Sequence, residues 1–148
     1  MQKLSMKLIT AALLTAGVAA CSDVSGPSNQ SAVGTYYLQT VNGNRLPYTF
    51  GQNGSNVSIQ ADTYTLNNDY SYTETTDETV YDGFQNSNVR HSEYGSWSQN
   101  NNAISFSPST GGSYAPYTGS LSGGGNLLGG GADLTIAVNG TVSVYTAQ

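Results

Sequence analysis

The residues from Val33 onward predict an all-β domain, an antiparallel up-and-down meander of eight to ten short strands closed into a barrel, with a two-sheet sandwich as the alternative. No window there repeats at the 3.6-residue helical period, whereas two-residue alternation rich in Tyr, Thr and Val recurs. Turn pairs punctuate the alternation at Asn42-Gly43, Asn53-Gly54, Asp82-Gly83 and Asn139-Gly140. Eleven tyrosines, Trp97 and three phenylalanines supply apolar bulk that disordered chains lack. With no helix to cover a sheet, the strands must hide their edges by closing on themselves or by stacking two sheets.

The first strand runs from Gly34 to Val41 and ends at Asn42-Gly43. Asn44 to Ser55, which contains Pro47 and Asn53-Gly54, reads as loop. Asn56 to Leu66 is one long bent strand or two short ones, and Asn67-Asn68-Asp69 turns the chain into a strand from Tyr70 to Thr79, with Tyr70 and Tyr72 on one face. After Asp82-Gly83 and a polar loop, Ser92 to Gln99 pairs with Ala103 to Ser107. A loop of Gln99 to Asn102 would set Trp97 opposite Ile104. Tyr114 to Leu121 follows, and then two glycine triplets around Asn126-Leu127-Leu128, too permissive in backbone angle to assign. In the last hairpin, a three-residue loop of Val138-Asn139-Gly140, with Gly140 left-handed, pairs Ile136 with Val142 and Leu134 with Val144. A two-residue Asn-Gly turn would instead split those apolar residues between faces.

The chain before this domain has its own logic. Lys3 and Lys7 precede an apolar run from Leu8 to Ala20, which ends in Val18-Ala19-Ala20-Cys21. Positive charge, a short apolar stretch and small residues, in that order, make a secretory signal. The run is too short to span a bilayer, which takes about 20 apolar residues. It resembles a bacterial lipoprotein leader, with residues 1–20 removed and the Cys21 thiol and amine acylated. Several acyl chains, at about 0.8 kcal/mol per buried methylene, hold a protein stably on a membrane. By the same resemblance, Ser22 rather than aspartate after the cysteine implies the outer membrane. Residues 21–32 then read as the acylated cysteine and a flexible tether, spanning roughly 18 Å root-mean-square, and residues 33–148 as one domain.

Composition narrows the function. After the leader, Arg45 and Arg90 stand against nine acids, a side-chain charge of −7, which argues against nucleic acid or anionic lipid as partner. Acylation consumes the only cysteine, leaving no disulfide, thiolate nucleophile or cysteine metal ligand. The absence of lysine after Lys7 removes Schiff-base chemistry and a Walker-type phosphate lysine.

Gly34-Thr35-Tyr36, followed by Val41-Asn42-Gly43 and Leu46-Pro47, resembles the opening of small lipocalin-like bacterial lipoproteins. Tyr94-Gly95-Ser96-Trp97, a polar turn and Ile104-Ser105-Phe106 resemble a hairpin of the same group. The resemblance implies a barrel that binds a small amphipathic molecule or acts as an envelope interaction module, without enzymatic activity. The Cys-x-x-Cys of related copper-stress lipoproteins is missing, so no metal role carries over and no cofactor is expected.

Among candidate sites, Gly119-Ser120-Leu121-Ser122-Gly123 matches the nucleophile-elbow pattern, but glycines follow where that motif needs a helix, so a serine-glycine turn is the better reading. His91, the only histidine, in Arg90-His91-Ser92-Glu93, is the one residue on which a hydrolase could be built. Glu74, Asp77, Glu78 and Asp82 concentrate negative charge without a calcium-loop spacing, and alternation puts Glu74 and Asp77 on opposite faces. The candidate ligand-binding residues are Tyr36, Tyr64, Tyr70, Tyr72, Trp97 and Tyr117, whose amphipathic rings would suit an apolar ligand with a polar end. Alternatively they pack a closed core, because eight strands leave an interior that side chains can fill. Bulky residues at most inward positions favour a closed or shallow interior. A β-sandwich adhesion or glycan-binding module, marked by rows of exposed aromatics, is a third reading.

Overall fold

A computed structural model of the chain describes residues 31–110, 115–123 and 131–148. The leader, Cys21, most of the tether, Tyr114 and the stretch between Gly123 and Gly131 lie outside the described residues. Ten strands follow in order: β1 (Gly34–Val41), β2 (Asn44–Arg45), β3 (Tyr48–Gln52), β4 (Ser55–Leu66), β5 (Ser71–Tyr81), β6 (Asn86–Asn100), β7 (Ala103–Thr110), β8 (Tyr117–Ser122), β9 (Asp133–Val138) and β10 (Thr141–Ala147). No helix occurs among the described residues.

From β4 to β10 each strand pairs antiparallel with the next, and β10 returns to pair with β1. A short ladder between Gly34–Tyr37 of β1 and Thr63–Leu66 of β4 completes an eight-stranded closed barrel. The sandwich alternative is thereby excluded. Beyond Tyr37 and Thr63 the two closing strands part, β2 lying beside the end of β1 and β3 beside the start of β4. The expected loop from Asn44 to Ser55 therefore holds two short strands. Pro47, which cannot donate to a ladder, falls between them, and Tyr48-Thr49-Phe50 follows with good strand formers that pair with Ile59–Val57.

Bulges decide which residues face inward. In β4 the register shifts between Ile59 and Ala61, so that Val57 before the shift and Asp62, Tyr64 and Leu66 after it are all buried. In β1 a shift between Leu38 and Thr40 does the same for Tyr36, Leu38 and Val41. A bulge changes the parity of the inward set, which simple alternation does not anticipate.

Four further expectations are corrected. Tyr70 is not in a strand; it sits in the turn with φ of 63° and is exposed, while Tyr72 is fully buried. Strand β6 begins at Asn86, taking in most of the expected polar loop, because residues 86–91 pair with residues 76–81 of β5. The β6–β7 turn has two residues rather than four, with Asn101 at φ 54°, so Trp97 faces Phe106 and Ile104 faces Gln99. Gly119–Ser122 belongs to strand β8 rather than to a turn, with Ser120 exposed.

The last hairpin also takes the turn that hydrophobic registry disfavoured. Asn139 (φ 50°) and Gly140 (φ 81°) form a two-residue turn with both angles positive, whose twist matches the strands it joins. Ser143 then faces Ile136 and Tyr145 faces Leu134. Burial of the Tyr145 ring outweighs that of Val142, which is left exposed. A Cβ on Gly140 would meet no neighbour. Gly140→Val should therefore cost about 1–2 kcal/mol through backbone strain alone, and chemical denaturation that leaves the midpoint unchanged would contradict this turn.

One end of the barrel is a packed base. The turn after β4, the β6–β7 turn and the start of β1 meet there. Ala32, fully buried, crosses this end: its N–H donates to Gln99 Oε1 (3.1 Å) and its carbonyl accepts from the Tyr36 hydroxyl (2.8 Å). Above it, Phe106 is ringed by Tyr64, Tyr72 and Tyr117 at centroid distances of 5.0–5.4 Å. Trp97 closes the side, its indole N–H donating to the Asn67 carbonyl (3.2 Å).

Candidate functional site

The other end of the barrel opens. Inward positions of β4, β5, β6, β8, β9 and β10 surround a solvent-connected cavity of about 540 Å³. The expected filling of the interior thus holds at the base and stops at the level of Tyr64 and Tyr117. Above those rings, the inward residues are Glu74, Thr76 and Glu78 on β5, His91 and Glu93 on β6, and Ser143 on β10. They are too short or too polar to fill a lumen.

Four acidic residues line this space, Glu78 beside His91 at the mouth and three deeper. Asp62 on β4 and Glu93 on β6 are each only 7% exposed, and Glu74 stands on β5, paired with Tyr64 on one side and Glu93 on the other. Like charges directly opposite on neighbouring strands repel, so the pairing of Glu74 with Glu93 is a local cost that packing does not explain. Tyrosines offset part of it. The Tyr145 hydroxyl donates to Asp62 Oδ2 (2.8 Å), and the hydroxyls of Tyr72 (2.5 Å) and Tyr117 (2.8 Å) both donate to Glu93 Oε1. Tyr64 Oη lies 2.9 Å from Tyr117 Oη. Asp62 Oδ1 and Glu93 Oε2 are buried with no hydrogen-bond partner.

Electrostatics follow from this burial. Removal from water, which disfavours the charged form, pushes Asp62 up to about 6, against the lowering effect of its bond from Tyr145. Glu74 is pushed up to about 8 by burial first and then by the charges of Asp62 and Glu93. Burial also raises the phenols of Tyr64, Tyr72, Tyr117 and Tyr145, so all four remain donors at neutral pH.

Of the six ring residues expected to bind ligand, the structure brings Tyr64 and Tyr117 to the cavity floor. Tyr72 lies just below and reaches Glu93 through its hydroxyl. Tyr36 is buried in the base, and Tyr70 and Trp97 pack together there, 5.5 Å apart, lining a polar depression outside the lumen. His91 sits at the mouth with Nε2 3.4 Å from Glu78 Oε2, while Ser92, next in the chain, is exposed. Asp77 faces outward, bonded by Arg90 at 2.6 and 2.8 Å. Among the described residues no group of three or more histidine, aspartate or glutamate side chains is arranged to hold a metal ion.

Sequence reasoning passed over Asp62 and Tyr145, and named Glu93 only in the run beside His91. The signal was parity: Glu93 is in phase with Trp97, and Glu74 with Tyr72, so a strand that buries the aromatic must also turn the acid inward.

Fold and site together define a class, a closed eight-stranded antiparallel barrel with a packed base and an open lumen lined by carboxylates and tyrosines. No protein-family model matches the chain, nor does any curated protein sequence.

Proposed function

We propose that this chain is a non-enzymatic envelope lipoprotein, anchored through Cys21 to the outer membrane, whose barrel binds a small amphipathic molecule. The observation that carries the reading is the two-sided lumen, with the Tyr64 and Tyr117 rings, Ile136 and Val138 offering apolar surface beside the carboxyls of Asp62, Glu74 and Glu93. A volume of about 540 Å³ lies within the range that holds drug-sized ligands. Among the described residues, exposed aromatics do not gather on one strand face: Tyr70 is at the base, Tyr81 and Phe84 are at the β5–β6 turn, and Tyr37 and Tyr94 are on the wall. That scatter gives less support to a glycan-binding module.

Two experiments test the reading. Cys21→Ala should leave an unprocessed precursor that takes up no labelled fatty acid; labelling at the level of the native chain would end the lipoprotein proposal. For the lumen, 2-naphthylethanol should bind the full chain saturably and one-to-one. Ser143→Phe, which places a ring in the cavity, should abolish that binding. Equal binding by both proteins would put the ligand outside the barrel.

A further inference from the structure

The geometry points to a ligand that is an organic cation, a protonated amine carried on an apolar or aromatic body. This rests on the lumen being a binding site and goes on to say what enters it.

The argument is an accounting of donors and acceptors. Each phenol that reaches the acids spends its single proton on the network: Tyr145 on Asp62 Oδ2, Tyr72 and Tyr117 on Glu93 Oε1, and Tyr64 on Tyr117, whose own proton is already committed. Among the lumen acids the one proton left is that of Glu74, and the other carboxylate oxygens only accept. Asp62 Oδ1 and Glu93 Oε2 belong to residues more than nine-tenths buried, line the cavity and have no partner. Unsatisfied buried carboxylate oxygens are costly and rarely left so. Among the described residues no basic side chain comes down to them: lysine is absent after Lys7, Arg90 is held on the outer face by Asp77, Arg45 is exposed on β2, and His91 stays at the rim beside Glu78.

An ammonium group supplies what is missing, several donors and one positive charge, at a spot walled by tyrosine rings whose faces also attract cations. An anionic head would meet the acid oxygens of Asp62 and Glu93. A bare metal ion is a poorer fit, because the described acids are not arranged to converge on one. Uptake of a cation also favours ionisation of Glu74, which burial and its two acidic neighbours hold protonated, so binding should release a proton.

The test uses the full chain in phosphatidylcholine nanodiscs and three probes with one body, 2-naphthylethylammonium, 2-naphthylethanol and 3-(2-naphthyl)propionate, titrated by calorimetry. The ammonium should bind at least about tenfold more tightly than the alcohol, the difference that a charged hydrogen bond brings, with the propionate weakest. Its enthalpy should vary with buffer ionisation, reporting proton release. Asp62→Asn and Glu93→Gln, checked for folding by circular dichroism, should each shrink the preference for ammonium over alcohol. Alcohol binding as tightly as ammonium, or propionate binding best, would overturn the cation while leaving a lumen ligand in place. Failure of all three probes would overturn the lumen reading as well. The ranking on the native chain decides the matter even if neither variant folds.

Discussion

Raising the pH from 4.5 to 8.5 should lower the melting temperature of the domain by roughly 10 °C or more. The unfolded chain releases the protons of Asp62 and Glu74 near pH 4 to 4.5, whereas the folded barrel holds them until about 6 and about 8. Across that window the native state binds more protons than the unfolded state, so stability falls as pH rises. The contribution is fully present below pH 4 and is lost as the pH passes through the two folded-state values. Each pH unit with one excess native proton is worth about 1.4 kcal/mol, and allowing for proton sharing between the two groups the loss is on the order of 4 kcal/mol. Asp69, Asp77 and Asp82 are held below their ordinary values by bonds from Ser71, Arg90 and the Gln85 backbone, but they are exposed and act below pH 4. Thermal melts along the pH series check this, and Glu74→Gln should remove most of the slope. Stability that rises or stays level from 4.5 to 8.5 would mean that the lumen carboxyls are hydrated and ordinary.

Gly95→Ala should destabilise the barrel by about 3 kcal/mol or more, near the upper end of overpacking costs. Gly95 pairs with Tyr72 across β5 and β6, and a Cβ there would stand 2.6 Å from Tyr72 Cε1 and 2.9 Å from Pro108 Cα, with the Ser107 carbonyl closer still. The backbone on β7 cannot yield without breaking its ladder, so the Tyr72 ring must move. That ring carries the hydroxyl bonded to Glu93 and packs edge-on against Phe106 at 5.2 Å. The substitution thus disturbs the core and strips Glu93 of a donor in one step. Urea denaturation measures the loss; a change under 1 kcal/mol would show that the ring does not lie over this glycine.

Much of the barrel was legible because Asn-Gly pairs and alternating aromatics are local signals. β1 and most of β4 came from them directly, as did all-β closure. What escaped was non-local. Registry at the β9–β10 hairpin was decided by Tyr145, buried against Tyr64 at a centroid distance of 5.1 Å, and nothing near Asn139 announces that contact. The shift near Gln60 moved Asp62 into the lumen, and no composition rule marks a bulge there. The acids were hidden by expectation as much as by sequence. A carboxylate at an inward position contradicts the hydrophobic pattern used to find inward positions, and such local contradictions are what a binding site looks like in a strand.

The ladder between β1 and β10 also sets the tempo of folding. Tyr36 pairs with Ala147 and Val41 with Ser143, partners 111 and 102 positions apart. Bringing them together costs roughly 4 kcal/mol in loop-closure entropy before any contact is gained. Contacts of such high order belong to domains that fold in milliseconds to seconds rather than microseconds. Because β10 follows every other strand in the chain, β1 keeps an unpaired edge from the moment it is synthesised until β10 exists. During synthesis or refolding this domain therefore passes through a sticky, open-edged interval, and its yield should depend on how dilute or how chaperoned that interval is.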